Sequence, residues 1–404
     1  LDNCHRRLPR CSTDKNGDYV ITWYSLCTTS EDGSGDAVLF NVFDGATGIP
    51  KFDGDKHVSG VVTGHQRNPM VVALSDGRSF FMFTHGTSDV SVTIFDENGD
   101  MIGVQETIHV SGFAFATTID ADVFEFTDTF GIAKIHVLVV HRSRTAPGDP
   151  SFYGVVKHIL DATDVAAVPT QIYEDRVNTD NTLLNQLFER TAIASNGYAF
   201  VSYNDGTALK SRGQIVDVRN GSNIGDLMII SDSGNAMSRQ ANDARGDKFI
   251  TGLDEGNDAY LVVTHSTTFS EVFPKIKINQ GSADAIADVG ALFLSDTRAL
   301  VAWSGPDGDG RGIIAAFVTF PECTQDVHCD SQATGCKVGY CAPTGKCETN
   351  AAEQGLACRA SAGDCDVAEV CDGISDICPA DAFVTAASNT VCRASAGPCD
   401  IEDV

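Results

Sequence analysis

No cysteine occurs between Cys27 and Cys323, so nearly 300 residues must fold without disulfide help. The last 84 residues show the reverse shortage. They hold two aromatic residues, Tyr340 and Phe383, and no tryptophan, yet they contain eleven of the 14 cysteines. A segment so poor in bulky apolar groups cannot fold on burial alone; disulfides or metal must hold it. Zinc needs paired short ligand spacings. The tail has no Cys-x-x-Cys pair and one histidine, His328, so disulfides and an oxidising, extracellular compartment are expected. No apolar run approaches the roughly 18 residues of a membrane span. Basic residues are scarce, 28 against 55 acids, and the net charge of −27 argues against nucleic acid as a partner. Familiar catalytic patterns are missing too. There is no Gly-x-Ser-x-Gly elbow, no phosphate-binding loop, no His-Glu-x-x-His motif and no Ser-x-Asp-x-Gly-x-x-Trp box.

What fills residues 1–320 is a succession of short apolar strands separated by Gly, Asp and Asn turns. Tyr19–Tyr24, Ala37–Phe43, Phe80–Thr84, Val90–Phe95, Ile135–His141 and Tyr198–Tyr203 alternate or run apolar as strands do. Lys15-Asn16-Gly17-Asp18, Ser75-Asp76-Gly77-Arg78 and Glu97-Asn98-Gly99-Asp100 carry hairpin-turn chemistry. Helical periodicity is scarce; Thr182–Arg190 is expected to form one helical turn or a loop insertion. A larger unit also recurs. Its apolar strand appears at Tyr19–Trp23, Phe80–Thr84, His136–Val140, Ala199–Tyr203, Tyr260–Thr264 and Ala299–Trp303.

Six copies with four strands each fit the blades of a propeller. The pattern resembles the degenerate propeller repeats of large secreted and surface proteins. The expected fold is therefore mainly β: a six-bladed, alternatively seven-bladed, β-propeller over 1–320, followed by small disulfide-rich, mostly irregular modules. A β-solenoid or a pair of β-sandwiches is the alternative. A propeller must close its ring, and either terminus can supply the missing strand. Of Cys4, Cys11 and Cys27, two are expected to pair with each other, and the third could pair with Cys323.

The tail divides into a cysteine-rich module, 321–354, and a repeat region, 355–404. The first holds Cys323, Cys329, Cys336, Cys341 and Cys347; the second holds Cys358, Cys365, Cys371, Cys378, Cys392 and Cys399. Cys358-Arg359-Ala360-Ser361-Ala362-Gly363-Asp364-Cys365-Asp366 returns as Cys392-Arg393-Ala394-Ser395-Ala396-Gly397-Pro398-Cys399-Asp400. The second copy is incomplete, and its register predicts another cysteine after Val404, as in a piece of a tandem array. The order Cys358-Arg359, Cys365-Asp366, Glu369, Cys371-Asp372-Gly373 and Cys378-Pro379-Ala380-Asp381 resembles the C-terminal half of the disintegrin domain. That resemblance implies an irregular fold held by disulfides and Ca²⁺. The implied calcium ligands are Asp366, Glu369, Asp381 and a backbone carbonyl such as that of Val367; Asp400 and Asp403 match in the partial copy. Hard carboxylate and carbonyl oxygens suit that cation. No Arg-Gly-Asp occupies the position of the family's integrin-reading tripeptide.

Arg245-Gly246-Asp247 reads first as a β-turn. Asp96–Asp100 and Asp307–Gly310 have some features of calcium loops but lack the distal glutamate of an EF-hand. Asn220-Gly221-Ser222 is the single glycosylation sequon. Asp120/Asp122 and Asp53/Asp55 are possible acid–base pairs, though carboxylates two apart in a loop are usually solvated. These features lead to the expectation of a non-enzymatic extracellular structural or adhesive protein that self-associates into a filament, sheath or surface appendage. Cell-surface proteins or glycans are the other partners expected. The alternative is a secreted propeller that binds or hydrolyses glycans and carries a cysteine-rich anchor. What separates the two is whether convergent acids with perturbed pKa values line the propeller's centre.

Overall fold

The computed structural model describes residues 5–26, 36–60, 64–86, 89–109, 118–143, 154–177, 186–205, 210–231, 241–255, 258–267, 270–272, 274–279, 287–306, 311–363 and 365–384. The chain forms two compact units, Leu1–Val318 and Thr319–Val404.

The first unit is a β-propeller, and its described residues form six successive antiparallel sheets. The first contains β1 (His5–Thr13), β2 (Tyr19–Leu26), β3 (Asp36–Phe43) and β4 (Lys56–His57). The second contains β5 (Gln66–Ala73), β6 (Ser79–His85), β7 (Asp89–Phe95) and β8 (Met101–His109). The third runs through β9 (Ile119–Thr127), β10 (Ala133–Ser143), β11 (Gly154–Asp161) and β12 (Thr170–Arg176). The fourth has β13 (Gln186–Ile193), β14 (Tyr198–Asp205), β15 (Lys210–Asp217) and β16 (Asn223–Ser231). The fifth has β17 (Ala241–Arg245), β18 (Lys248–Glu255), β19 (Asp258–His265) and β20 (Ile276–Lys277). The sixth has three strands, β21 (Ala287–Ser295), β22 (Arg298–Pro306) and β23 (Arg311–Thr319).

Two expectations shift. The stretch 186–190 is strand, because Gln186–Ile193 pairs along Tyr198–Asp205 rather than coiling. In the fifth sheet Tyr260–Thr264 is the third strand, not the second; Lys248–Glu255 takes the second place. Lys248 and Asp254 at the two ends of that strand break its apolar pattern, which hides it in the sequence.

Local turn chemistry explains the meander. Asp14 accepts the N–H groups of Asn16 and Asp18 at 2.8 and 3.0 Å, and Gly17 takes φ 82°. Asp96 does the same for Asn98 and Asp100 at 2.9 Å, which makes that stretch a hairpin turn. Packing then joins the sheets face to face. Val38 and Phe40 meet Phe81 and Phe83, and Val90 and Ile94 meet Val137 and Val139. Leu138 and Val155 meet Val201 and Val216; Phe200 and Ile215 meet Phe249. Gly252 lies so close to Val289 and Ala291 that an added Cβ would stand about 3.0–3.2 Å from them, so the fifth and sixth sheets also touch.

The opposite face of the sixth sheet is open. Leu292, Leu294, Ile313 and Phe317 are 43%, 42%, 79% and 64% exposed. The corresponding third strands of the second and third sheets, β7 and β11, are buried on both faces. Among the described residues no core joins the sixth sheet to the first, and no fourth strand completes the sixth. The expected ring closure by a terminal strand is therefore not seen there.

The second unit is held by Cys323–Cys341, Cys329–Cys347, Cys336–Cys371 and Cys358–Cys378. Cys365 is also disulfide-bonded. Cys336–Cys371 ties the 321–354 segment to the repeat region. Cys323 pairs within the tail rather than with the N-terminal strand, because the hairpin of β24 (Lys337–Cys341) and β25 (Cys347–Ala351) brings Cys341 to it. Cys11 is an exposed free thiol on β1, which corrects its expected place in a disulfide. Cys4, Cys27, Cys392, Cys399, Asp400 and Asp403 lie outside the described residues.

Candidate functional site at the propeller mouth

The first strands of the sheets, β1, β5, β9, β13, β17 and β21, lie side by side around the centre. Side chains on one strand cap backbone groups on the next. The Ser12 hydroxyl accepts the N–H of Ala73 at 3.0 Å, Asp122 that of Ile193 at 2.7 Å, and Asp243 that of Phe293 at 2.7 Å. These clips hold the centre together with polar bonds in place of apolar packing.

Four of these strands carry a bulge near their start: Arg7/Arg10 in β1, Arg67/Met70 in β5, Leu187/Arg190 in β13 and Ala287/Gly290 in β21. An extra residue on one strand re-aims the side chains beside it. Leu8 and Asn68 occupy the bulges at φ 50° and 52°. They are the two non-glycine residues with positive φ among those described. Each precedes a proline, and both line one cavity with Arg10, Thr118, Ile119 and Arg190. A left-handed backbone without glycine is costly and recurs at functional sites.

Two carboxylates are buried beside this cavity. Asp120 accepts the Thr191 N–H at 2.8 Å. Burial raises its pKa, opposed by Arg190, the Thr191 bond and Arg10. Glu189 is fully buried. Its Oε1 accepts the Thr118 hydroxyl and the Arg142 N–H, the latter at 2.9 Å. Its Oε2 has no hydrogen-bond partner among the described residues. Burial raises its pKa as well, against the pull of Thr118, Arg142 and Arg190. Asp122 is pushed up to about 7, burial outweighing its bonds to the Ile193 and Val123 N–H groups. Asp120 and Asp122 thus sit on a central strand and not in a solvated loop. Glu189 was invisible in the sequence; a bulge places it, and no spacing rule marks a bulge.

Other expected sites separate. Asp55 faces Arg6 at 3.6 Å, an exposed pairing, and Asp53 does not join it. Arg245 is tied to Asp296 at 2.7 Å and Asp247 to His265 at 3.0 Å, so the Arg-Gly-Asp stretch is an engaged turn. Asn220 is exposed in the turn before β16, its side chain accepting the Ser222 N–H at 2.9 Å. Trp23 and Trp303 are both buried. A larger cleft, of about 260 Å³, lies between the fourth and fifth sheets, lined by Phe200, Met228, Ile230 and Val262 with Glu271 as its one charged group. Thr251 and Thr264 are its other polar residues. Asp307–Gly310 lies outside the described residues.

In the tail, pairing of the two-residue strands Asp366–Val367 and Ala382–Phe383 sets Asp366 beside Asp381. Oxygens of Asp366, Glu369 and Asp381 lie within 4.8 Å of one another. Arg359 stands among them, with Nε 2.7 Å from Glu369 and 3.3 Å from Asp381. Its charge offsets one of three carboxylates. Asp366 Oδ1 is buried without a hydrogen-bond partner among the described residues, and a donor set of hard oxygens left net negative fits Ca²⁺.

No protein-family profile and no curated protein matches the chain. Solved structures do. A protein of unknown function from Dyadobacter fermentans is 12% identical with a TM-score of 0.50, covering 79% of this chain and 96% of that one. An α-L-arabinofuranosidase from Fusarium graminearum, solved with an iminosugar inhibitor, is 8% identical with a TM-score of 0.50, covering 78% and 93%. A lectin from Aleuria aurantia with a six-bladed β-propeller fold is 10% identical with a TM-score of 0.42, covering 78% and 95%. At such identities the likeness is one of fold. It still overturns the expectation of a non-enzymatic chain. That expectation rested on missing sequence motifs, and the arabinofuranosidase shows that this fold carries a glycoside-cleaving enzyme.

Proposed function

We propose that the first unit is a glycan-binding and glycan-hydrolysing propeller of a secreted protein. The observation that supports this reading is the pair of buried carboxylates with raised pKa values, Asp120 and Glu189, beside an arginine-flanked cavity at the ring's centre. Glycoside hydrolysis needs two carboxyl groups in different protonation states. Glu189, deeply buried and with Oε2 uncommitted, is assigned the proton-donor role. Asp120, which accepts the Thr191 N–H at 2.8 Å, is assigned the second carboxyl role. The disulfide-stapled tail suits an oxidising exterior and serves as a stable anchor. Its disintegrin-like character, and calcium held by Asp366, Glu369, Asp381 and the Val367 carbonyl, belong to this proposal. The filament and self-association expectations gain no support from the fold.

The test is to incubate the protein with a panel of oligosaccharides and follow new reducing ends. Glu189→Gln and Asp120→Asn should each lower kcat by about 100-fold or more while binding survives. Full rates in both variants, or no binding to any glycan, would refute the proposal.

A further inference from the structure

We propose that the cleft between the fourth and fifth sheets binds a small aromatic amine, its ring inside the cleft and its primary ammonium on Glu271 and Thr264. This site shares no lining residue with the mouth cavity and does not depend on the glycan reading.

The cleft follows from how the two sheets are built. The outer strand of the fifth sheet, β20, has two residues and pairs with Tyr260 and Leu261 at the start of β19. Further along β19 the neighbour is an isolated bridge between Thr264 and Glu271. In the fourth sheet, Gly213 leaves room for the Phe200 ring; an added Cβ would stand 2.2 Å from it. Five buried residues form the core between these two sheets, against nine, eleven and thirteen in the three earlier interfaces. The space left is about 260 Å³.

Size and lining set the body of the ligand. An apolar cavity of about 150 Å³ holds benzene, so this one holds a ring with a short chain. Phe200, Met228, Ile230 and Val262 supply the walls. An aromatic face and a thioether both pack well against a ring.

Charge sets the other end. Glu271 is the one charged group among the described lining residues; it is exposed, and it has no ion pair among the described residues. Thr264 lies opposite it in the bridge. Residues directly opposite in an antiparallel pair hold their Cβ atoms about 4.5–5.5 Å apart on the same side. Thr264 is 8% exposed, and its hydroxyl has no hydrogen-bond partner among the described residues. The Thr251 hydroxyl, by contrast, already donates to Asn242 at 3.0 Å. A carboxylate and a hydroxyl side by side can both accept from a primary ammonium, which carries three donors. An anionic ligand would meet the like charge of Glu271 with no base in the described lining to offset it.

Calorimetry on the full chain can decide this, with phenethylamine, 2-phenylethanol and phenylacetate as probes. The amine should bind about threefold tighter than the alcohol, as an exposed ion pair allows, and phenylacetate should bind weakest. Glu271→Gln, at an exposed position, should bring the amine down to the alcohol's affinity. Val262→Phe puts extra atoms into the open space and should weaken amine and alcohol alike by about tenfold or more. If that variant fails to fold, the comparison of Glu271→Gln with the unaltered protein remains decisive. No binding of the amine would overturn the inference. So would equal binding of amine and alcohol, or a preference for the amine that survives in Glu271→Gln.

Discussion

Replacing Asp122 by asparagine should flatten the pH dependence of the propeller's stability between about pH 4 and pH 7. In the folded chain the Asp122 carboxyl titrates near 7, against 3.8 as its ordinary value. Between those values the folded state holds a proton that the unfolded state has released. The contribution is therefore full below about pH 4 and lost as pH rises through about 7. Three decades at 1.36 kcal/mol each give roughly 4 kcal/mol. That is an upper bound, because the side chain keeps some contact with water. The asparagine side chain does not titrate, so its variant should lose this slope. It should also be less stable at pH 5, where the parent side chain is a protonated carboxyl: its two oxygens can still accept the Ile193 and Val123 N–H groups, 2.7 and 2.8 Å away, whereas the asparagine amide nitrogen cannot accept one. Each stranded N–H costs about 1–3 kcal/mol. Urea unfolding at pH 5 and pH 8 can be followed by tryptophan fluorescence, which reports the propeller alone because Trp23 and Trp303 both lie in it. Asp120, Glu189 and Asp243 also titrate upward. The comparison is thus the difference between variant and parent. An identical pH slope in the two would refute the argument.

Phe81→Ala should cost about 3–5 kcal/mol, because Phe81 is fully buried between the first two sheets. Phe317→Ala, on the open face, should cost less than about 1 kcal/mol; equal losses in thermal unfolding would show that the sixth sheet is covered in solution. Lys157 is fully buried beside Asn223, and burial pulls its pKa down to about 8. The folded state then holds fewer protons than the unfolded state between about pH 8 and 10.5, so stability should rise with pH there. Lys157→Met should abolish that rise in denaturant titrations. Replacing both Cys336 and Cys371 by serine opens a link across 35 residues and should destabilise the tail by roughly 4 kcal/mol. Limited proteolysis should then cut the tail faster while the tryptophan signal of the propeller holds.

By itself the sequence determined the mainly β character, the repeating meander and the disulfide-held tail. These depend on local chemistry: period-two apolar strands, Asx turns such as Asp14–Asp18, and a tail with too few apolar residues to fold otherwise. It misread 186–190, where Glu189 and Arg190 interrupt the apolar pattern, because Glu189 is buried against Thr118 and Arg142, far away in the chain. Only the tertiary structure decided the site. Asp120 looked like half of a solvated pair until the third and fourth sheets met over it. Glu189 and Arg190 acquire their positions from a bulge whose register no local signal encodes. Arg10 and Arg190 are 180 positions apart and line one cavity because six sheets turn about a common centre. The open face of the sixth sheet was equally hidden, since Ile313 and Phe317 read as core strand residues whether or not a neighbouring sheet covers them.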